Sequence, residues 1–165
     1  MPTKEVAKVD KTEELRKFIN EANLSGYAAD NTKAWAKEKD GSTTITYERG
    51  DWKYHDNFFG GEPYGGREVI FYKEKPFWMM VYYGAVSETE SDVKGVYRFL
   101  QKALRTDDGS NPFRGPRSLK EGALEYKNSW TGKLDVFSGE EEILRNNARI
   151  YWAKYTGGFV DQREE

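Results

Sequence analysis

The chain has 165 residues, 37% apolar and 15% aromatic, enough to fill the core of one domain. Its formal net charge of −2 excludes a nucleic-acid binder driven by overall basicity. It has no cysteine and a single histidine, His55, which excludes disulfides and thiol chemistry and removes the usual zinc ligands. Carboxylates leave Mg²⁺ or Ca²⁺ open, but the sequence assigns no metal site and no cofactor.

The opening segment "MPTKEVAKVDKTEEL" has no apolar stretch of the kind a secretion signal requires. The longest apolar run, "PFWMMVYYGAV", is about half the ~20 residues of a membrane helix. The expectation is a soluble cytoplasmic protein with no membrane partner. Leu15, Phe18, Ile19 and Ala22 recur at helical spacing and predict a helix from about Thr12 to Ser25, capped by Asp10 and Glu13 and stopped at Gly26. "STTITYERGDWKYHDNFF" then switches to a period of two. It reads as two strands turning near Arg49-Gly50, with Trp52, Tyr54, Asp56 and Phe58 on one face. "REVIFYKEKPFWMMVYYGAV" reads as two more strands turning at Lys73-Glu74-Lys75, the last of them central. A second helix is predicted from about Thr89 to Arg105, with Ser87 and Glu90 at capping-box spacing and "DDG" after it. Four further strands are predicted near Ala123–Asn128, Lys133–Ser138, Glu141–Arg145 and Ala148–Tyr155.

The same order of elements occurs twice. Laying "ITYERGDWKYHDNFFG" over "LEYKNSWTGKLDVFSG" places Tyr47 on Tyr126, Asp56 on Asp135, Phe58 on Phe137 and Gly60 on Gly139. Laying "GREVIFYKEKPFWMMVYYGAV" over "EEEILRNNARIYWAKYTGGFV" places Glu68 on Glu142, Trp78 on Trp152 and Gly84 on Gly158. The helices align with Phe18 on Phe99 and Ala22 on Ala103. The expected architecture is α+β: two tandem copies of a helix followed by a four-stranded antiparallel meander, related by a pseudo-two-fold axis. They form a single compact domain over residues 1–165, with halves of about 10–88 and 89–161. In this alignment the segment Gly61 to Gly65 is extra to the first copy.

The motifs "WKYHDNFFGGEPYGGREVIFYKEKPFWMMVYYG", "NPFRGP", "FSGEEEI" and "YTGG" together resemble an uncharacterised prokaryotic family, a domain of unknown function. The resemblance covers essentially the whole chain from the first helix onward. Some members of that family are joined to a helix-turn-helix regulator domain, which implies a sensing or interaction role. This chain has no room for a separate helix-turn-helix domain, so direct nucleic-acid binding does not carry over.

The glycine pairs around Glu62-Pro63-Tyr64 do not make a phosphate loop: Gly66-Arg67 stands where Lys-Ser/Thr is needed, and a strand follows instead of a helix. His55 and Asp56 are neighbours on a strand and point to opposite faces, so they are not a direct acid–base pair. Asp56 and Glu68 are the candidate catalytic carboxylates. On an inward face they either carry a raised pKa, as a general acid needs, or accept backbone N–H bonds at turns. The shared placement of carboxylates in both copies favours the turn role. Features that break the internal repeat are better ligand-binding candidates: Glu62 and Tyr64, Arg114 between Pro112 and Pro116, and Trp130 at a predicted turn. Arg114 either recognises a ligand's carboxylate or phosphate or ties its own loop to a nearby acid. The expected function is a soluble ligand-binding or sensing module with a small-molecule or protein ligand. The alternatives are a carboxylate-based hydrolase or lyase, and a protein-interaction domain with a broad apolar patch and no enclosed pocket.

Overall fold

A computed structural model describes residues 4–26, 35–111 and 113–163. In chain order the elements are α1 (Lys4–Ser25), β1 (Trp35–Lys37), β2 (Thr43–Arg49), β3 (Trp52–Phe59), β4 (Tyr64–Tyr72) and β5 (Lys75–Val86), then α2 (Val93–Arg105), β6 (Ser118–Glu121), β7 (Leu124–Lys133), β8 (Val136–Arg145) and β9 (Ala148–Phe159). The fold is α+β. The strands form one antiparallel sheet in the order β1-β2-β3-β4-β5-β9-β8-β7-β6. β5 and β9 meet in the middle, in register from Trp78 against Phe159 to Val86 against Tyr151.

Both helices pack on one face of this sheet. Leu15, Phe18, Ile19 and Ala22 of α1 are buried, as their helical spacing predicts, against Ile45, Trp52, Tyr54, Ile70, Trp78 and Met80. Val96, Phe99, Leu100 and Ala103 of α2 are buried against Val86, Tyr126, Ile143, Ile150 and Tyr151. The alternation in β3 puts Trp52, Tyr54 and Asp56 inward, all nearly inaccessible. β5 is central as predicted, but it is not buried on both faces. Val81 and Tyr83 are 41% and 51% exposed, because no helix covers that side of the sheet among the described residues.

Several boundaries differ from the sequence expectation. α1 begins at Lys4, so Asp10 lies inside the helix and cannot cap its start. α2 begins at Val93, capped by Asp92, whose carboxylate accepts from the Gly95 N–H at 3.0 Å; Ser87 and Glu90 form only the preceding turn. β1 and β6 were not anticipated, and the first helix is followed by five strands, not four. In the C-terminal third the strands predicted at Lys133–Ser138 and Glu141–Arg145 are one strand, β8, and the turn before it falls at Leu134-Asp135. Gly139 suggested a corner, but it sits inside β8. A Cβ there would lie 2.3 Å from the Tyr155 ring, so this glycine makes room for an aromatic side chain rather than a turn.

That register changes the internal comparison. Asp135 is an exposed turn residue and not the counterpart of buried Asp56. Glu142 is only half-buried, and the fully buried carboxylate of β8 is Glu141. Asp56 pairs with Glu68 across β3 and β4, while Asn128 pairs with Glu141 in the β7–β8 ladder. Two residues on, Ile70 lies between Tyr54 and Trp78, and Ile143 lies between Tyr126 and Tyr151. Both ladders then shift register, after Ile70 and after Ile143, before turns whose central residues have positive φ: Lys73-Glu74 and Asn146-Asn147. The β3–β4 connection, Gly60 to Pro63, exceeds the β7–β8 connection, Leu134-Asp135, by less than the sequence comparison implied.

Candidate functional site

On the helix-bearing side the structure encloses a cavity of about 350 Å³. Its walls come from β1 (Trp35, Lys37), β3 (Tyr54, Asp56, Phe58), β4 (Tyr64, Glu68) and β5 (Tyr82). The helices add Asn23 of α1 and Tyr97, Gln101 and Leu104 of α2, and the loop after α2 adds Phe113 and Arg114. A cavity of this volume, rich in aromatic side chains and with a few convergent polar groups, has the character of a small-molecule site.

The polar groups divide into two clusters. The first is the carboxyl pair Asp56 and Glu68, 2% and 5% exposed. Tyr82 donates its hydroxyl to Asp56 Oδ1 at 2.6 Å, and the Tyr54 hydroxyl lies within hydrogen-bonding reach of both carboxyls. Glycine is required at Gly66 for this arrangement, since a Cβ there would lie 2.7 Å from the Tyr82 hydroxyl and 2.5 Å from the Asn57 carbonyl oxygen. Glu68 Oε2 is buried without a hydrogen-bond partner among the described residues. Burial pushes both acids up, Asp56 to about 6 and Glu68 to about 8, and the neighbouring Asp56 charge adds to the rise at Glu68. Glu68 is therefore the group that holds a proton near neutrality, and Asp56 the one that ionises first.

The second cluster is centred on Glu141, which has no exposed surface. Arg114 donates from Nη2 to Glu141 Oε1 at 2.6 Å, Tyr151 donates to the same oxygen at 3.0 Å, and Tyr126 donates to Oε2 at 2.7 Å. Burial works against the charge on Arg114, but Glu141 beside it raises its pKa well above the ordinary value and keeps it cationic. Tyr64 meets Tyr151 hydroxyl to hydroxyl at 2.5 Å, and burial pushes its own phenol up to about 12, so it stays protonated.

Local sequence explains how Arg114 arrives there. Asn111 Oδ1 accepts from the backbone N–H groups of Phe113 and Arg114, both at 2.8 Å, folding the loop inward. Tyr155 donates to Asn128 Oδ1 at 2.8 Å, and Asn128 Nδ2 donates to the Gly115 carbonyl at 3.2 Å, pinning the loop to the sheet. Phe113 stacks on Phe137 with ring centroids 4.0 Å apart. The loop is held by asparagine hydrogen bonds and this stack; Pro112, one of the two prolines that flank Arg114 in sequence, lies outside the described residues.

Of the sequence-derived candidates, Asp56, Glu68, Tyr64 and Arg114 line the same cavity. Arg114 also ties its loop to a buried acid, the second of the two roles weighed for it. Glu62 is not among the lining residues. Its Oε1 accepts from the Val86 N–H at 2.7 Å and its Oε2 from the Tyr97 hydroxyl, so it clips the β3–β4 connection to β5 and α2. Glu62→Ala is expected to leave the buried Val86 N–H unpaired and to cost about 1–2 kcal/mol. Hydrogen exchange at Val86 is the direct readout: unchanged protection of that amide would show that the clip carries no stability. Trp130 also stands apart from the cavity. It packs edge-on against Phe113 at 6.3 Å, with the Arg117 guanidinium 4.3 Å over its ring. It lies in β7 and not at a turn.

The sequence comparison missed Glu141, Tyr126, Tyr151 and Tyr82. For Glu141 a signal existed: in "EEEI" only Glu141 shares a face with Ile143, as Glu68 does with Ile70. Among the described residues no three His, Asp or Glu side chains are arranged to hold a metal ion, and no helix is long and apolar enough to cross a membrane.

No curated protein and no solved structure matches the chain. A family model described as a domain of unknown function, DUF5680, matches residues 56–160, more than half of the chain and a span that includes both carboxylate clusters. The chain belongs to that family.

Proposed function

We propose that this protein is a ligand-binding or sensing module whose small-molecule ligand occupies the aromatic cavity, with the Asp56–Glu68 pair as its polar anchor. The observation that carries this reading is Glu68 Oε2, a buried carboxyl oxygen with no hydrogen-bond partner on the wall of a 350 Å³ cavity. Leaving such a group unpaired costs about 1–3 kcal/mol, and a ligand donor removes that cost. The resemblance to a family with regulator-linked members supports the sensing role. The test is a thermal-shift screen of metabolite and drug-like libraries on the wild type and on Gly61→Trp. Gly61 lines the cavity, and a Cβ there would meet nothing within 4 Å, so the indole adds bulk at an open position. A ligand that stabilises the wild type should lose its effect in Gly61→Trp. Ligands that stabilise both equally bind elsewhere and would overturn the assignment.

A second reading rests on the same pair. One carboxyl that keeps its proton beside one that has lost it is the arrangement of a general acid and a general base. This hydrolase or lyase reading requires turnover that both Asp56→Asn and Glu68→Gln abolish. Ligand binding with no consumption of the ligand decides against it.

We further infer that the two halves descend from a duplication, in a register different from the one sequence identity suggests. What supports this is the match of Tyr54, Glu68, Ile70 and Tyr82 with Tyr126, Glu141, Ile143 and Tyr155 in equivalent ladder positions, with a register shift and an equivalent turn in each half. In this register Asp56 corresponds to Asn128. The halves then differ where the cavity lies: one buried glutamate has a guanidinium and the other does not.

A further inference from the structure

The two buried glutamates are built alike and completed differently. Each lies two residues before an isoleucine that sits between two aromatic residues in the sheet. Glu141 receives three donors: Arg114, Tyr126 and Tyr151. Glu68 keeps only the Tyr54 hydroxyl, the counterpart of Tyr126. Where Tyr151 donates to Glu141, the neighbour of Ile70 is Trp78, whose Nε1–H is turned away to the Leu134 carbonyl at 3.1 Å. No side-chain cation is hydrogen-bonded to Glu68 among the described residues; in its place is the cavity, with Oε2 unpartnered on its wall.

We propose that the cavity's ligand is an organic cation, a protonated amine or quaternary ammonium carried on an apolar body, seated so that its charge does for Glu68 what Arg114 does for Glu141. The inference rests on the binding role proposed above and names the chemical class of that ligand. Three further observations favour this class. An aromatic wall already accepts a cation: the Arg114 guanidinium lies 5.6 Å from the ring of Tyr82, which lines the cavity. The charge balance is short of positive groups. Among the described residues the interior sets Asp56 on β3 and Glu141 on β8, with Glu68 on β4 once it loses its proton, against the Arg114 guanidinium, which is hydrogen-bonded to Glu141. Lys37 of β1, also on the cavity wall, is an exposed cation that donates to Thr43 Oγ1 at 2.7 Å and is not hydrogen-bonded to Glu68; the facing groups of β5 and α2, Tyr82 and Tyr97, are phenols engaged with Asp56 and Glu62. An anion would face the Asp56 carboxylate and hold the proton on Glu68 more tightly instead of pairing with its charge. A neutral hydrocarbon would fill the aromatic walls but leave Glu68 Oε2 unsatisfied. Because Glu68 holds a proton before binding, capture of a cation releases it.

The test is isothermal titration calorimetry of the full chain with three probes of similar shape: benzyltrimethylammonium, its neutral carbon isostere neopentylbenzene, and phenylacetate. The cation should bind at least about ten-fold more tightly than the isostere, a difference of about 1.4 kcal/mol, and phenylacetate should bind weakest. Glu68→Gln should remove the preference for the cation while leaving neopentylbenzene affinity within about two-fold. Titrations at pH 7 in buffers of different ionisation enthalpy should show proton release on binding the cation, absent in Glu68→Gln. A neutral or anionic probe that matches the cation, or a preference that survives Glu68→Gln, overturns the proposal. So does absence of any cation binding. The broader ligand-binding reading falls only if the neutral and anionic probes and the thermal-shift screen also find no occupant.

Discussion

Arg114→Met is expected to destabilise the fold by about 3–5 kcal/mol, the usual cost of removing one partner from a buried ion pair. Methionine keeps much of the aliphatic stem, so the loss reports the charge and its hydrogen bonds rather than a cavity. The penalty follows from Glu141, which has no exposed surface and would keep only the Tyr126 and Tyr151 hydroxyls as donors. Two phenols do not replace a cation for a carboxylate sealed from water. Glu141→Gln alone should also be costly, because it strands the guanidinium, whose side chain is 8% exposed. The double variant Arg114→Met/Glu141→Gln leaves no uncompensated charge and should recover a large part of the loss. Urea unfolding of the wild type, both single variants and the double variant gives the coupling energy directly. A single-variant loss under about 1 kcal/mol, or strict additivity in the cycle, would show that the pair does not hold the loop to the sheet.

Glu68→Gln is expected to stabilise the protein at pH 8 and to flatten its pH–stability profile. Glu68 is raised from 4.5 to about 8 and Asp56 from 3.8 to about 6, first by burial. In each case the folded state binds the proton more tightly than the unfolded chain. Stability therefore falls as pH rises from the ordinary carboxyl range through the folded-state values, and is greatest below it. A rise of this size at Glu68 corresponds to a loss on the order of 4 kcal/mol by pH 8. Two carboxyls act in the opposite sense: hydrogen bonds from Ser42 lower Asp40, while at Asp108 the effect of burial is outweighed by the combined bonds from Ser110 and Arg117. Both are almost fully hydrated, and what they contribute is lost only as the solution becomes strongly acidic. The wild type should thus be most stable near about pH 4 and weaken steadily toward about pH 8 or 9. The amide in Glu68→Gln has no charge to desolvate, so the decline above about pH 6 should largely vanish. In Asp56→Asn the remaining decline should move to lower pH, because the Asp56 charge is what adds to the rise at Glu68. Wild-type stability that is flat between about pH 5 and 8 would refute the buried, unpaired state of Glu68.

Much of the architecture was legible because it repeats a local rule. The helical spacing of Leu15, Phe18, Ile19 and Ala22 named the buried face of α1, and the alternation through Trp52, Tyr54 and Asp56 named the inward face of β3. Four of the cavity's polar residues, Asp56, Tyr64, Glu68 and Arg114, could be picked out as inward-facing carboxylates or as breaks in the repeat. The failures share one cause. Identity alone aligned Asp56 with Asp135, which lies in a turn, and Glu68 with Glu142, one residue beyond the buried carboxylate of β8. In a strand a one-residue slip exchanges the two faces, so Glu142 was preferred to Glu141 and the partner of Arg114 was missed.

Chain chemistry alone decided which residue types lie inward: periodicity acts over a few residues, and each face must be either wetted or buried. It also decided that the interior would carry carboxyls among aromatics. Which carboxyl acquires a cation depended on tertiary structure. Arg114 reaches Glu141 because Asn111, Asn128 and Tyr155 fold the loop after α2 onto β7 and β9, contacts between residues far apart in the chain. Glu68 occupies the equivalent place on the other side of the β5–β9 seam, where no such loop arrives among the described residues and a cavity remains. Charge compensation in a low-dielectric interior is set by distances in space, and those are fixed only when the strands have found their register.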